Sequence, residues 1–303
     1  MSQSRLTYLI SGVIVLAAVA ATAIGVVQLA RGGGEQTRRL PGRIAVVDGC
    51  GVLHMWSDGS DQRRLCLPGV FAAVSLSDNG KTIAWDTRNQ ITVAEVSRDD
   101  TSISHQRIPP LASGTDVEPG LSPDGRRVAF LHSPRNDGRY DVWVGSTSGS
   151  IDNSEQLTTT HNVSTLAWSG SGDWIAFVKG WSEVTLQGQI ALIHPDGSGE
   201  RALTIGDSPT WTPDGKLLAF YRGGSIWTIR PDGSGARLLI RDGHSPAWSR
   251  DGKQIAFLRE DKCGKATCKE HVMIAFPNGT GARPVGPAFP RAQRVLWLRD
   301  PFE

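Results

Sequence analysis

From residue 43 onward the chain alternates short apolar runs with short polar runs, and no stretch places apolar residues at helical spacing. A typical apolar run is Ile-Ala-Phe, whose β-branched and aromatic side chains favour strands. The polar runs are rich in Asp-Gly and Asn-Gly, which tolerate the positive φ angles of tight turns. The pattern therefore predicts an all-β chain of short antiparallel strands joined by tight turns.

One ten-residue pattern recurs, in which an apolar or Trp residue leads into a tight turn and then a strand. Its five copies occupy residues 76–85, 121–130, 168–177, 211–220 and 248–257. A second turn pattern, built around Asp-Gly or Asn-Gly, recurs at residues 56–60, 194–199, 230–235 and 276–281. Successive lead positions lie roughly 40 residues apart, which is the length of one four-stranded propeller blade. Each repeat thus predicts one blade with strands A to D.

A sixth lead position, Trp297, has no strands B to D after it, whereas residues 43–67 hold three strands without a lead position. These two incomplete units complement each other. We therefore predict a six-bladed β-propeller over residues 43–303, closed by pairing of residues 294–298 with the first blade. Closure of this kind leaves no unprotected sheet edge.

These repeats resemble the TolB-type propeller repeat, whose core is Trp-Ser-Pro-Asp-Gly, two variable residues and Ile-Ala-Phe. The resemblance covers almost all of the chain after residue 43. It implies a six-bladed, periplasmic propeller that acts through protein contacts. We expect no counterpart of the N-terminal α/β domain of the TolB family, since a short linker precedes the repeats in this sequence. Similar repeats also precede the hydrolase domain of prolyl oligopeptidase-like peptidases, but the sequence has no Gly-x-Ser-x-Gly elbow.

The first 42 residues differ from the rest. Residues 8–30 form an uncharged apolar run long enough to cross the ~30 Å hydrocarbon core of a bilayer. We predict a cytoplasmic segment at 1–7, a transmembrane anchor at 8–30 and a linker at 31–42, with the propeller outside the cytoplasm. The alternative is cleavage near the Ala-rich residues 17–23, which would release a soluble protein.

Four cysteines form two local pairs, which fits an oxidising compartment. We predict disulfides between Cys263 and Cys268 and between Cys50 and Cys66. The alternative for the first pair is a metal site completed by His271, although zinc sites usually have closer cysteine pairs and a fourth ligand. No metal or other cofactor is predicted.

Two further repeated features have structural interpretations. Each Asp-Gly turn has one carboxylate, whereas a calcium loop needs several, so these aspartates are expected to shape turns. The recurring residues Trp168, Trp211, Trp248 and Trp297 are expected to pack between blades, with carbohydrate stacking as the alternative.

Strand direction divides the predicted propeller into two faces. The A–B and C–D turns are short and uniform, whereas the B–C and D–A loops vary in length and charge. Function in repeat folds tends to lie on the variable face. Candidate partner-binding residues there are Arg135, Asp137, Arg139, Trp181, Glu183, Lys262, Lys265 and Lys269.

Polar residues at the entrance of the central tunnel provide a second candidate site. Positions four residues before each lead residue are expected to enter the tunnel, namely Ala72, Val117, Ser164, Asp207, His244 and Gln293. Of these, Asp207 and His244 are the candidate ligand-binding residues. The alternative is that both make hydrogen bonds within their own D–A loops.

The net charge of +2 gives no indication of nucleic-acid binding. We expect a membrane-anchored binding or scaffold module for a protein or peptide at the cell envelope, and not an enzyme. One alternative is a sensory domain that reports to a partner membrane protein. Another is an enzyme acting on a small molecule or glycan in the tunnel, which would require clustered catalytic groups.

Overall fold

The computed structural model describes residues 43–48, 51–60, 62–65, 74–77, 82–87, 90–96, 103–107, 114–148, 154–182, 187–261, 269–289 and 292–298. Within these ranges every regular element is a β-strand, and 23 strands form five antiparallel sheets. The all-β prediction is confirmed. The described ranges contain no helix long and apolar enough to cross a membrane, and the predicted anchor at 8–30 lies outside them.

The first three sheets have four strands each. The first has the order β23-β1-β2-β3 and comprises Ala292–Leu298, Arg43–Asp48, Gly51–Trp56 and Arg63–Leu65. The second contains β4 to β7, which are Val74–Leu76, Thr82–Thr87, Gln90–Val96 and Ile103–Arg107. The third contains β8 to β11, which are Thr115–Leu121, Arg127–Ser133, Asp141–Ser146 and Glu155–Gln156.

The remaining strands form a seven-stranded sheet and a further four-stranded sheet. The larger contains β12 to β18, which are Val163–Trp168, Ile175–Ser182, Gln187–Ile193, Arg201–Trp211, Leu218–Arg222, Ser225–Ile229 and Arg237–Arg241. The smaller contains β19 to β22, which are His244–Trp248, Ile255–Glu260, Glu270–Ala275 and Arg283–Phe289.

Strand β15 explains the size of the seven-stranded sheet, because its two halves pair with different neighbours. Gly206 pairs with Gly188 of β14, whereas the next residue, Asp207, pairs with Tyr221 of β16. The strand therefore ends one group of four strands and begins the next without a break.

The first sheet joins the two ends of the described chain. Strand β23 pairs with β1 so that Ile44 lies opposite Trp297 and Val46 opposite Val295. Ile44, Val46 and Val295 are buried in one cluster, against which Trp297 packs. The predicted pairing of residues 294–298 with the first unit is confirmed.

The core lies between neighbouring sheets and between the two halves of the seven-stranded sheet. In each of four repeats the Phe that ends the Ile-Ala-Phe run or its equivalent is fully buried, at positions 130, 177, 220 and 257. The Trp297 indole N–H donates to the Ala247 carbonyl of a neighbouring sheet, and the Trp211 indole N–H donates to the Ala167 carbonyl in the other half of the seven-stranded sheet. Trp211 and Trp248 are buried and Trp168 is half-buried. All four tryptophans pack in or against hydrophobic clusters, so the predicted packing role is confirmed.

Candidate functional site

The strand ends define two faces. We call the side with the tight turns at residues 56–60, 122–127, 194–199, 212–217, 230–235, 249–254 and 276–281 the turn face. We call the opposite side, with the connections at 133–141, 157–163, 179–188, 222–225, 241–244 and 260–270, the loop face. Its connections range from the two glycines 223–224 between β16 and β17 to about nine residues between β20 and β21.

Carboxylates of the turn face are used within their own turns. The Asp214 carboxylate accepts hydrogen bonds from the Thr212 hydroxyl at 2.7 Å and from the Lys216 N–H at 3.1 Å. The hydroxyl hydrogen bond is the largest cause that lowers the pKa of Asp214, against partial burial, and the N–H bond adds to it. Hydrogen bonds from a nearby hydroxyl and N–H also lower the pKa of the aspartates at positions 58, 124, 196 and 232. For Asp251 burial is the largest effect and raises the pKa, but the hydrogen bonds and Lys253 together outweigh it, so its pKa is lowered too. These aspartates therefore shape the turns, as predicted.

On the loop face, the connection between β9 and β10 holds three candidate residues. Arg135, Asp137 and Arg139 are all exposed, and 71% of the Arg139 side chain is accessible to solvent. Asp137 accepts the Arg139 N–H at 3.1 Å, which is the main cause that lowers its pKa, and the Ser133 hydroxyl at 3.2 Å. The connection is thus ordered by its own hydrogen bonds while its guanidinium groups face solvent.

The other predicted loop residues are described only in part. Trp181 lies in β13 and is half-buried, and Lys269 is exposed. Glu183, Lys262 and Lys265 lie outside the described residues, as do the four cysteines at positions 50, 66, 263 and 268. His271, the third residue of the alternative metal site, lies 2.9 Å from the Asp261 carboxylate. The described residues contain no group of three or more side chains able to hold a metal ion.

A central cavity of about 390 Å³ is lined by β4, β8, β12, β15, β19 and β23. Its wall is largely hydroxyl, proline and indole, from residues such as Thr165, Ser208, Thr210, Trp211 and Trp248. Among the described lining residues Glu118 is the one acidic side chain and Arg250 the one basic side chain. The cavity therefore has an acidic end and a basic end.

Arg250 lies at the turn-face end of the cavity. Its guanidinium donates a hydrogen bond to the carbonyl of Ser77, which follows β4. The bond joins the turn after β19 to the turn after β4, which are far apart along the chain. Arg250 therefore ties two sheets together at the turn-face end of the cavity.

The cavity wall departs from the prediction at four described positions, since Val117, Ser164, Asp207 and His244 are not among its lining residues. Ser208 and Ser245 line the cavity, whereas Asp207 and His244, the residues expected there, do not. The cause is a β-bulge, because the ladder shifts between Asp207 and Thr210 and again between His244 and Ala247. A bulge re-aims the side chains that precede it, so the residue three positions before the lead, and not four, borders the cavity.

The structure nevertheless brings Asp207 and His244 near a common residue. Asp207 is the ladder partner of Tyr221, and the His244 ring packs edge-on to Tyr221 with centroids 6.4 Å apart. His244 Nε2 lies 3.1 Å from the Glu270 carboxylate. The two predicted residues therefore lie beside the cavity, on the loop-face side of its wall.

Two carboxylate–histidine pairs on the loop face have no clear signal in the sequence. Asp116 and His132 are both buried and 2.6 Å apart. Asp141 is buried and lies 2.6 Å from Nδ1 of His161, whose side chain is 62% exposed. Asp141 also accepts the His161 N–H at 3.0 Å and the Thr158 hydroxyl at 3.0 Å. Asp141 therefore holds the connection between β11 and β12 in place through its contacts with Thr158 and His161.

Comparison with known proteins places this fold among the TolB-like propellers. The structure of TolB from Acinetobacter baumannii superposes with a TM-score of 0.66, at 15% identity, over 86% of this chain and 68% of that one. The chain therefore has a TolB-like β-propeller fold. No protein-family model matches the sequence.

Two other structures share the fold in different settings. A nidogen–laminin complex superposes with a TM-score of 0.62, at 12% identity, over 84% of this chain and 97% of that one. An oligogalacturonate lyase in complex with manganese superposes with a TM-score of 0.57, at 12% identity, over 78% of this chain and 70% of that one. The fold alone thus occurs both in a protein assembly and in an enzyme.

One curated relative matches part of the sequence. Escherichia coli YidR (strain K12) is 29% identical over 148 residues, which are 45% of this chain and 33% of that protein. The match thus spans about a third of the relative's length.

Proposed function

We propose that the protein is a six-bladed propeller that binds a protein or peptide partner through its loop face. In this account β15 belongs to two blades, so that the seven-stranded sheet counts as two. Residues 8–30 anchor the protein in a membrane and the propeller lies outside the cytoplasm. The protein is a binding module and not an enzyme.

The contrast between the two faces carries this proposal. On the turn face the carboxylates of the Asp-Gly turns accept hydrogen bonds from their own turns, and backbone geometry restricts which residues can replace them. On the loop face the connections differ from sheet to sheet, Arg139 is exposed and Trp181 is half-buried. Arg and Trp are frequent energetic anchors of protein interfaces. A partner-specific surface is therefore favoured on the loop face.

Site-specific photo-crosslinking in the native membrane tests this proposal. A photoreactive residue replaces Arg139 or Trp181 on the loop face, and Lys216 or Lys253 on the turn face as matched controls. We expect one discrete adduct, of the same mass from both loop-face positions, and none from the turn face. Adducts only from Lys216 or Lys253 would assign the wrong face, and no adduct from any position would contradict a stable protein partner.

A propeller enzyme is the second candidate, favoured by the Asp141–His161 pair. A buried carboxylate that orients an exposed histidine is a common arrangement for general acid–base catalysis. The lyase shares the fold, but at 12% identity this likeness extends to the fold alone. Replacement of His161 by Gln would abolish turnover of a substrate under this second proposal. It should leave crosslinking from Arg139 unchanged under the first.

A further inference from the structure

Four polar groups on one side of the central cavity have no hydrogen-bond partner among the described residues. They are the hydroxyls of Thr165, Ser208 and Thr210 and the indole N–H of Trp248, all from residues that line the cavity. Thr165 and Trp248 are each only 8% exposed, and Ser208 and Thr210 are half-buried. Polar side chains at this depth normally have a partner, and within the described chain these four lack one.

The repeat makes the Trp248 indole informative. The equivalent indole N–H of Trp211 donates to the Ala167 carbonyl, one residue before the lead position of the preceding repeat, and Trp297 makes the equivalent bond. The corresponding acceptor for Trp248 is the Thr210 carbonyl, but this bond is not formed. A donor that the other two repeats satisfy internally is therefore left without an acceptor between β15 and β19.

The four groups lie on neighbouring strands, since β15 contacts both β12 and β19 around the cavity. Thr165 and Ser208 stand three positions before a lead tryptophan, Thr210 stands one position before it, and Trp248 is itself a lead tryptophan. At about 3.3 Å per residue these positions span roughly 10 Å along the strands. They therefore form one patch, which we call the hydroxyl patch.

The rest of the cavity wall has a different character. On β4 the Ser75 hydroxyl already accepts the Leu121 N–H at 2.8 Å. The two charged lining residues, Glu118 and Arg250, belong to β8 and to the turn after β19. None of the described lining residues on β12, β15 and β19 is charged. The hydroxyl patch is therefore confined to one uncharged side of the wall.

The chemistry of a matching ligand follows from these groups. Hydroxyls both donate and accept hydrogen bonds, whereas an indole N–H only donates. A ligand that displaces water from such groups retains affinity only if it reproduces the hydrogen bonds of that water. A charged ligand would also lose hydration without gaining a counter-charge on these three strands. The patch therefore favours an uncharged ligand with several groups that donate and accept.

We infer that the cavity binds a neutral saccharide through the hydroxyl patch. A saccharide carries hydroxyls on successive ring carbons, with C–H groups between them that suit the Pro209 and Pro246 rings beside the patch. An amide presents one acceptor and two donors at a single point, so it meets fewer of the four groups. The cavity volume of about 390 Å³ lies within the range of small-molecule sites, about 300–1,000 Å³.

This inference goes beyond the proposed function, because the saccharide occupies the cavity and needs no protein partner on the loop face. The test is a titration of the full chain in a detergent without a sugar head group. The probes are glucose, galactose, mannose and N-acetylglucosamine. The comparisons are glucuronate for charge, cyclohexanol for an apolar ring and N-methylacetamide for a peptide group.

The readout is the indole N–H resonance of Trp248, assigned from its loss in Trp248→Phe. We expect a saturable shift with at least one neutral sugar, and weaker binding or no shift with all three comparisons. Absence of a shift with every sugar would overturn the inference. Binding of any comparison as tightly as the best sugar would overturn it too, and for N-methylacetamide would indicate a peptide ligand instead.

Nearly isosteric variants locate the site. Thr165→Val and Thr210→Val each remove one hydroxyl and should raise the Kd for the sugar about five-fold, as expected for loss of one hydrogen bond. Thr160→Val, at an exposed position between β11 and β12, is the matched control and should leave the Kd unchanged. An unchanged Kd in either folded cavity variant would overturn the inference. If neither variant folds, the comparison of sugars with the other probes on the wild type still decides.

Failure of this inference can be distinguished from failure of the proposed function. Crosslinking at Arg139 without sugar binding would leave the partner-binding proposal standing and reject the saccharide site. Sugar binding without any crosslink would retain the cavity site and reject the protein partner.

Discussion

Ile44 and Trp297 are ladder partners in β1 and β23, although they stand near opposite ends of the described chain. Trp297 also reaches the next sheet, since its indole N–H donates to the Ala247 carbonyl at 2.9 Å. Trp297, which lies in the last strand β23, therefore contacts both the first strand β1 and strand β19 of the neighbouring sheet. This makes β23 the element on which closure of the fold depends.

Loss of the Trp297 side chain should destabilise the protein strongly. Trp297→Ala removes the indole hydrogen bond and the packing against the cluster of Ile44 and Val295, which should lower the free energy of unfolding by about 3 kcal/mol. Removal of residues 292–303 should have a larger effect. Urea unfolding measures both. The control is Phe276→Ala at a side chain that is 58% exposed, and a Trp297→Ala protein as stable as this control would contradict the closure role.

Acid should destabilise the turn face. The Asp124 and Asp214 carboxyls have pKa values below the ordinary 3.8 in the folded protein, chiefly because the Ser122 and Thr212 hydroxyls donate to them. A lowered folded-state pKa contributes stability that is present above the unfolded-state pKa and is lost as pH falls through the folded-state pKa. Stability should therefore decline from about pH 4 downward.

The double variant Asp124→Asn/Asp214→Asn should have a shallower decline over that range, measured by urea unfolding at a series of pH values. Asp173→Asn, at an exposed aspartate of the turn face, serves as the control. A double variant with the same acid dependence as the wild type would show that these two turns do not contribute to it.

Disulfide formation in the Cys263 and Cys268 segment remains a prediction of the sequence. If the propeller lies in an oxidising compartment, the non-reduced peptide containing both cysteines should be about 2 Da lighter than the dithiol. Mass spectrometry of protein taken from its native compartment measures this directly. Two free thiols would argue against both the disulfide and the extracytoplasmic placement.

The sequence predicted the fold well because its repeats encode it locally. The Asp-Gly turns, the buried Phe residues and the lead tryptophans each follow from a short motif whose chemistry allows few alternatives. Pairing of Trp297 with the first sheet was also predictable, since two incomplete repeats had to complete each other. Because the repeats are regular, the strands missing from each incomplete unit indicate which distant strands must pair.

The cavity was less predictable, because a β-bulge changes the register without a strong sequence signal. Counting back from Trp211 and Trp248 gave Asp207 and His244, whereas the bulges place Ser208 and Ser245 on the wall. The prolines at 209 and 246 were the available signal, since proline within a strand marks a bulge or an edge. The bond from Arg250 to Ser77 and the Asp141–His161 pair depend on distant contacts that no motif encodes.

Binding of the crosslinked partner at the loop face is tested by its affinity, once it is purified, for variants of the two faces. Arg139→Ala and Trp181→Ala should each weaken binding by about 1–3 kcal/mol, the range of interface anchors. Lys216→Ala and Lys253→Ala, on the turn face, should change the affinity by less than about 0.5 kcal/mol. Unfolding midpoints equal to the wild type would confirm that each variant is folded. Full affinity in Arg139→Ala and Trp181→Ala, together with loss of binding in Lys216→Ala or Lys253→Ala, would contradict the assignment of the loop face as the binding surface.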